Sequence, residues 1–147
     1  MASVYKVAKY ILEYFDRPID AYKLQKLVYY CQAWSLVWDE KPLFDDKIEA
    51  WVNGPVVRSL YKVHQGQYSV KPEDFVDLAC CGGELSEEQK ETIDAVLAYY
   101  GGMKGYELRE LTHLEKPWQI AREGMGDIEP GSREIACESM QMYYASL

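Results

Sequence analysis

Histidine is scarce, positive charge is outnumbered and no long apolar run is present. Each shortage removes a class of function. The chain carries two histidines, His64 and His113, and neither stands in a His-Glu-x-x-His helix or another metal-spaced cluster. There is no glycine-rich phosphate loop after a strand and no Gly-x-Ser-x-Gly elbow. Sixteen Lys and Arg face 24 Asp and Glu, a net charge of −8. That balance argues against DNA or RNA as ligand, because nucleic-acid affinity comes from neutralising phosphates. No apolar stretch approaches the roughly 20 residues of a membrane helix. The opening MASVYKVAKYILEYF is interrupted by Lys6, Lys9, Glu13 and Asp16, and no small-residue cleavage site follows, so it does not read as a signal peptide. The expectation is a soluble, cytoplasmic protein that binds neither nucleic acid nor membrane, needs no cofactor or metal, and is not an enzyme. A Cys31–His113 dyad stays open, since such partners are distant in sequence, but nothing favours it.

Disulfides are also unexpected. The four cysteines, Cys31, Cys80, Cys81 and Cys137, match neither a zinc knuckle nor a redox Cys-x-x-Cys, and without a secretory signal they read as thiols. Cys31 sits among apolar helical residues and reads as packing. The adjacent Cys80-Cys81 pair leaves a mild redox role open.

Aromatic residues are what the chain has in abundance: 13 Tyr and four Trp in 147 residues. A chain of this length buries a real core and fits one domain, residues 1–147. Three Tyr-Tyr pairs fall on predicted helices: Tyr29-Tyr30, Tyr99-Tyr100 and Tyr143-Tyr144. Helical neighbours point about 100° apart, so one ring of each pair is expected inside and the other at a rim suited to an interface. Exposed rims of Tyr30, Trp51, Tyr61 and Tyr144 are the expected contact residues, with Trp51 the anchor.

Charge is uneven. Residues 1–70 hold nine Lys and Arg against eight Asp and Glu, and residues 71–147 hold seven against sixteen. The stretch Glu84 to Asp94, with Glu87, Glu88 and Glu91, reads either as a solvated acidic face or as a surface that steers a basic partner.

The expected fold is mainly α: a compact multi-helix domain with one small β-hairpin near residues 43–52. Val4, Val7, Ala8, Ile11, Leu12 and Phe15 recur at helical spacing, and Pro18 stops that helix. Asp20 caps the next, whose stripe is Leu24, Leu27, Val28, Cys31, Trp34 and Trp38. Leu43-Phe44 and Ile48 to Val52 read as extended. Asn53-Gly54 reads as a turn, and Pro55 as the first residue of a helix carrying Val56, Leu60 and Val63. Residues 66–85 read as a long loop. Ser86 to Gln89 is a capping box before Ile93, Val96, Leu97 and Tyr100, and Gly101-Gly102 ends that helix. Shorter helices are expected at 106–114, 117–122 and 137–144, with Gly124 to Gly131 as loop.

Ile48 to Trp51 is the oddest local feature. If extended, Ile48 and Ala50 face one way, Glu49 and Trp51 the other. Glu49 reads as an anchor that binds backbone N–H groups, Lys23, Lys26 or Arg58 and fixes the insert to the helix at 23–38. Alternatively, the segment presents Trp51 to a partner.

These elements in this order resemble the SocA-like Panacea antitoxin domain, a protein-binding module of prokaryotic and phage toxin–antitoxin pairs. The resemblance rests on Lys23, Leu24, Lys26, Leu27, Tyr29 and Gln32, then on the turn Pro42, Leu43, Phe44. It continues through Ile48, Glu49, Ala50 and Trp51, then Gly54, Pro55 and Val56, followed by Leu60 and Tyr61. Downstream come the corner with Thr112, His113, Pro117 and Trp118, and finally Ile135 with Tyr143-Tyr144. Ala136 departs from the pattern, where relatives place a capping Ser or Thr, so Ser132 or another group is expected to serve the last helix. The resemblance implies an antitoxin that neutralises a cognate protein toxin, encoded by a neighbouring gene, through direct binding. The alternatives are an adaptor that delivers the toxin to a AAA+ protease, or an uncharacterised enzyme.

Overall fold

The computed structural model describes residues 1–147. Its centre is one helix, α2 (Ala21–Trp38). Asp20 starts it by accepting a bond from the Tyr22 N–H at 2.8 Å, as a helix N-cap does. The expected apolar stripe is too narrow a description of α2. Leu24, Gln25, Lys26, Leu27, Val28, Tyr29, Tyr30, Cys31, Gln32 and Ala33 are all buried in succession, because neighbours cover the helix on every side. Each fully buried aliphatic or aromatic side chain of this kind contributes about 1.5–3 kcal/mol. Trp38, placed in the stripe by spacing, is instead half exposed.

Against α2 pack α1 (Val4–Tyr14), α5 (Glu87–Tyr100), α6 (Gly105–Leu114) and α8 (Cys137–Ala145), while α3 (Arg58–His64), α4 (Val76–Ala79) and α7 (Lys116–Ala121) lie farther out, α4 on α1 and α7 on α6 and α8. Helices stand where periodicity placed them at α1, α2 and α5 to α8, and the α5 punctuation is as predicted. Ser86 and Gln89 form the reciprocal capping box, and α5 ends at Gly101. No helix is long and apolar enough to cross a membrane.

Two regions differ from the sequence reading. The hairpin lies later than 43–52: β2 (Ile48–Trp51) pairs antiparallel with β3 (Gly54–Val57), in the register Ile48 with Val57 and Trp51 with Gly54. Pro55 is therefore a strand residue, and α3 starts at Arg58. The proline is tolerated because Ala50, opposite it, sends its N–H to Arg133 O on the far side at 2.8 Å, so no ladder bond from Pro55 is needed. Residues 133–135 run along β2 as a third partner, with the Ile135 N–H donating to Ile48 O at 2.7 Å.

The second region is 66–85, which is not one long loop. A short strand, β4 (Ser69–Val70), pairs with β1 (Ile19–Asp20). A 3₁₀ turn, Pro72–Phe75, then leads into α4, and both pack on α1. Phe75, fully buried, anchors this segment. At α8 no side chain caps the start: Ser132 does not replace the absent cap at Ala136.

Candidate functional site

The hairpin is held as a rigid platform by polar groups reaching out of buried helices. On α2, Gln25 and Lys26 hold β3. Gln25 accepts from the Val57 N–H at 2.9 Å and donates to Val57 O at 3.2 Å, imitating a neighbouring strand. Lys26 donates to Pro55 O at 3.3 Å. Seven residues on, Gln32 does the same for the Pro-Leu-Phe turn, donating to Phe44 O and accepting from the Leu43 and Phe44 N–H groups. From the other side, Arg122 donates to three carbonyls, Ala50, Gly126 and Glu129. Trp118 Nε1 donates to Trp51 O at 2.9 Å. His113 stacks on Trp118 at 3.9 Å with 9° between planes. Burial, with Arg109, Lys26 and Arg122 nearby, brings the His113 pKa down to about 4, so the ring is neutral at pH 7. Thr112 bonds the Arg109 carbonyl. The Thr112–Trp118 corner thus braces the hairpin from the side opposite α2. Gly54, at φ 115°, completes the contact, since a Cβ there would meet Lys26 Cε at 2.6 Å.

On this platform the strand alternation holds: Ile48 and Ala50 are buried, while Glu49 and Trp51 face outward. Glu49 is an anchor, though not to the helix at 23–38. Its Oε1 accepts from Trp51 Nε1 and Arg58 Nη2, both at 2.8 Å, and its Oε2 from Arg58 Nε at 3.2 Å. Burial pushes the Glu49 carboxyl up, but the bonds from Arg58 and Trp51 outweigh it and hold the group below its ordinary value. Trp51 is thereby locked, with Tyr61 edge-on at 4.8 Å and the Arg58 guanidinium 5.5 Å from its ring centre. Beside it lies an open groove of about 480 Å³, bordered by Tyr22, Trp51, Asn53, Val56, Arg58 and Ser132. Replacing Glu49 by Ala frees two partners, the exposed Arg58 and the partly buried Trp51, that can turn to water. The expected loss is about 1 kcal/mol of stability, read by urea denaturation. Unchanged stability with lost partner binding would make the Trp51 platform the contact itself.

Of the expected contact residues, the structure brings Trp51 and Tyr61 together at the surface and removes the other two. Tyr30 and Tyr144 are buried, not exposed rims. Both hydroxyls donate to Glu115 Oε1 at 2.7 Å, and Tyr29 lies 2.9 Å from Tyr144. The one-in, one-out rule holds for Tyr99-Tyr100, where Tyr99 is exposed and Tyr100 buried, and for Tyr143-Tyr144. It fails for Tyr29-Tyr30, because α2 has no outer face there. Glu87, Glu88 and Glu91 are exposed on α5, which packs on α2 rather than on the hairpin. Part of the acidic stretch is internally neutralised: Glu84 pairs with Lys6 at 3.0 Å. Cys31 is buried, as its setting suggested, and Cys80 and Cys81 are exposed with sulfurs 3.6 Å apart.

The sequence reading missed Gln25, Glu115 and Arg122 as organisers. One signal was available for the first: Gln25 and Gln32 are polar residues seven apart in a largely apolar helix, hence on one face. Glu115 and Arg122 carried no such mark, because a lone charge in a helix corner reads as solvated.

What these contacts define is a helical module with a braced aromatic platform. No three His, Cys, Asp or Glu side chains gather as a metal site. A family model described as the SocA-like antitoxin, Panacea domain, matches residues 24–119. That is more than half of the chain, and the chain belongs to this family. The match takes in α2, the hairpin and the Thr112–Trp118 corner, while α1 and α8 lie outside it although both complete the same core. No curated protein and no solved structure matches the chain.

Proposed function

We infer that this protein is an antitoxin that neutralises a cognate protein toxin, encoded by a neighbouring gene, by binding it directly and without catalysing a reaction. Membership of the antitoxin family carries the reading. The braced platform of Trp51, Arg58 and Tyr61 supports it, because rigid aromatic and Arg anchors are the groups that dominate protein interfaces. The net charge of −8 favours a protein partner over nucleic acid or an anionic membrane.

The test is co-expression of the adjacent open reading frame with and without this chain. A tagged copy is expected to co-purify with the neighbour at fixed stoichiometry and to restore growth. Substitutions on the contact surface are expected to lose binding and rescue together. Toxin half-life separates sequestration from delivery to a AAA+ protease: a long-lived complex supports sequestration, and accelerated loss supports an adaptor. Rescue that persists when no complex forms would overturn direct binding and point to an enzyme.

The exposed acids on α5 are expected to act on association rate. Glu87→Lys, Glu88→Lys and Glu91→Lys together are expected to slow association with a basic toxin by roughly tenfold at low salt, with little change in dissociation. The difference is expected to fade as salt screens it. An association rate indifferent to ionic strength, measured by stopped flow, would leave these acids a role in solubility only.

A further inference from the structure

A second cleft lies between the C-terminal halves of α2 and α5, apart from the Trp51 platform. Trp34 and Trp38, one helical turn apart, stack at 4.9 Å on the α2 side. Ala95, Val96, Tyr99 and Tyr100 form the α5 side, and Leu147 also borders the cleft. It encloses about 410 Å³ and every bordering residue is hydrophobic, so it is deep enough to receive side chains. Its floor is fixed. Trp34 Nε1 donates to the Tyr100 hydroxyl at 3.0 Å, and Tyr100 stacks flat on buried Tyr30 at 4.0 Å. Its walls are left in water: Trp38 is 50 % exposed, Tyr99 76 % and Leu147 71 %. A concave apolar surface open to water is stabilised by being covered.

The rim indicates what covers it. Glu91 stands one turn before Ala95 on α5, and Glu88 a further turn back along the same ridge. Both are exposed. At the end of α2, Asp39 accepts a bond from Thr92, one turn before Val96, at 2.7 Å, and exposed Glu40 follows it. Of the nearby bases, Lys90 pairs with Glu87 at 3.6 Å and Lys41 follows Glu40. We propose that this cleft binds a basic amphipathic helix of a protein partner. The partner's apolar face seats on Trp34, Trp38 and Tyr99, and its Lys and Arg side chains lie against Glu88, Glu91 and the Asp39–Glu40 end. The partner is taken to be the toxin, and that part rests on the antitoxin reading. A second copy of this chain fits poorly, because a two-fold contact sets the same acidic rims against each other.

The test uses the full chain, labelled with ¹⁵N, and two synthetic helical peptides, one of leucine and lysine, the other its leucine–glutamate counterpart. Four tryptophans give four indole N–H signals. The lysine peptide is expected to shift those of Trp34 and Trp38 saturably and leave those of Trp51 and Trp118 in place. The glutamate peptide is expected to shift none. Trp38→Ala with Tyr99→Ser changes exposed side chains only, and its fold is checked by circular dichroism. It is expected to weaken the lysine peptide by roughly tenfold or more. Equal binding of both peptides, or equal binding by wild type and variant, overturns the proposal. So does concentration-dependent dimerisation that Trp38→Ala abolishes, which assigns the cleft to a second copy. With the neighbouring toxin, full rescue by the double variant overturns the cleft as the toxin's contact while the antitoxin reading stands. Failure of the wild type to rescue sinks the antitoxin reading, and the peptide measurement alone then decides the cleft.

Discussion

Stability is expected to rise as pH is raised from 7 to about 8.5, and Lys26→Met is expected to abolish the rise. Lys26 is fully buried on α2. Its amine has one hydrogen-bond acceptor, Pro55 O at 3.3 Å, with the Tyr22 ring 5.4 Å away and no carboxylate paired to it. Burial brings its pKa from 10.5 down to about 7, Asp20 opposing and Arg109 assisting. A lysine with a lowered native pKa is protonated in the unfolded chain but neutral in the fold between those two values. The unfolded state then binds more protons, and stability increases with pH. From pH 7 to 8.5 the gain is on the order of 2 kcal/mol, since stability rises by roughly 1.4 kcal/mol per pH unit once above the native pKa. Above that window the sign reverses. Burial raises the Cys31 thiol and the Tyr29, Tyr30 and Tyr144 phenols, so these groups ionise first in the unfolded chain. Methionine keeps the volume of lysine and no charge. At pH 6, where the wild-type amine is protonated in both states, Lys26→Met is expected to be more stable by about 3–5 kcal/mol. Urea titrations at four pH values decide it. A Met variant with the same pH slope as wild type would show that the amine is hydrated in the fold.

The same residue shows where the sequence was legible and where it was not. Lys26 stands at a regular position in a motif that marks the family, yet its burial is a property of several remote elements closing around α2, which no local pattern contains. What could be read was local chemistry. Asp20 and Ser86 announced their caps, Gly101 its stop, and the alternation at Ile48 to Trp51 its two faces, because each depends on a few adjacent residues. The hairpin register was not local. Pro55 is read as a helix start on propensity, but Ala50 opposite it bonds residue 133 on its far side, and that remote pairing leaves a proline harmless at that site. At 66–85 the elements are too short for periodicity, and scattered residues such as Val70 and Phe75 tie them to the core. At the candidate site, Trp51 and Tyr61 were accessible to spacing arguments. The burial of Tyr30 and Tyr144 was not, since it follows from a carboxylate, Glu115, that reaches both from another helix junction.

Glu115→Ala is expected to cost about 3–5 kcal/mol, whereas Glu115→Gln stays within about 1 kcal/mol of wild type. Glu115 is 6 % exposed and its carboxylate has no cation beside it. Burial raises its pKa, and the Tyr30 and Tyr144 hydroxyls, each donating at 2.7 Å, oppose that rise. Because Tyr144 spends its only proton on Glu115, Tyr29 is the donor in their 2.9 Å contact, so a Tyr29–Tyr144 chain and a separate bond from Tyr30 converge on Oε1. Alanine strands two buried donors, at about 1–3 kcal/mol each, and opens a cavity. Glutamine offers an acceptor oxygen in the same place and removes a charge that burial penalises. The sign of the pH effect follows: a carboxyl with a raised native pKa favours the fold below its unfolded value and loses that contribution as pH rises through the native one, a loss the Gln variant lacks. The consequence extends to the surface. Tyr30, fixed by Glu115, carries Tyr100 stacked on it, and Tyr100 accepts the Trp34 indole N–H. Alanine at 115 is therefore expected to shift the Trp34 indole resonance and loosen the floor of the α2–α5 cleft, while Gln leaves both in place. Equal destabilisation by Ala and Gln would show that the phenols do not need this acceptor and that packing of the rings alone holds the floor.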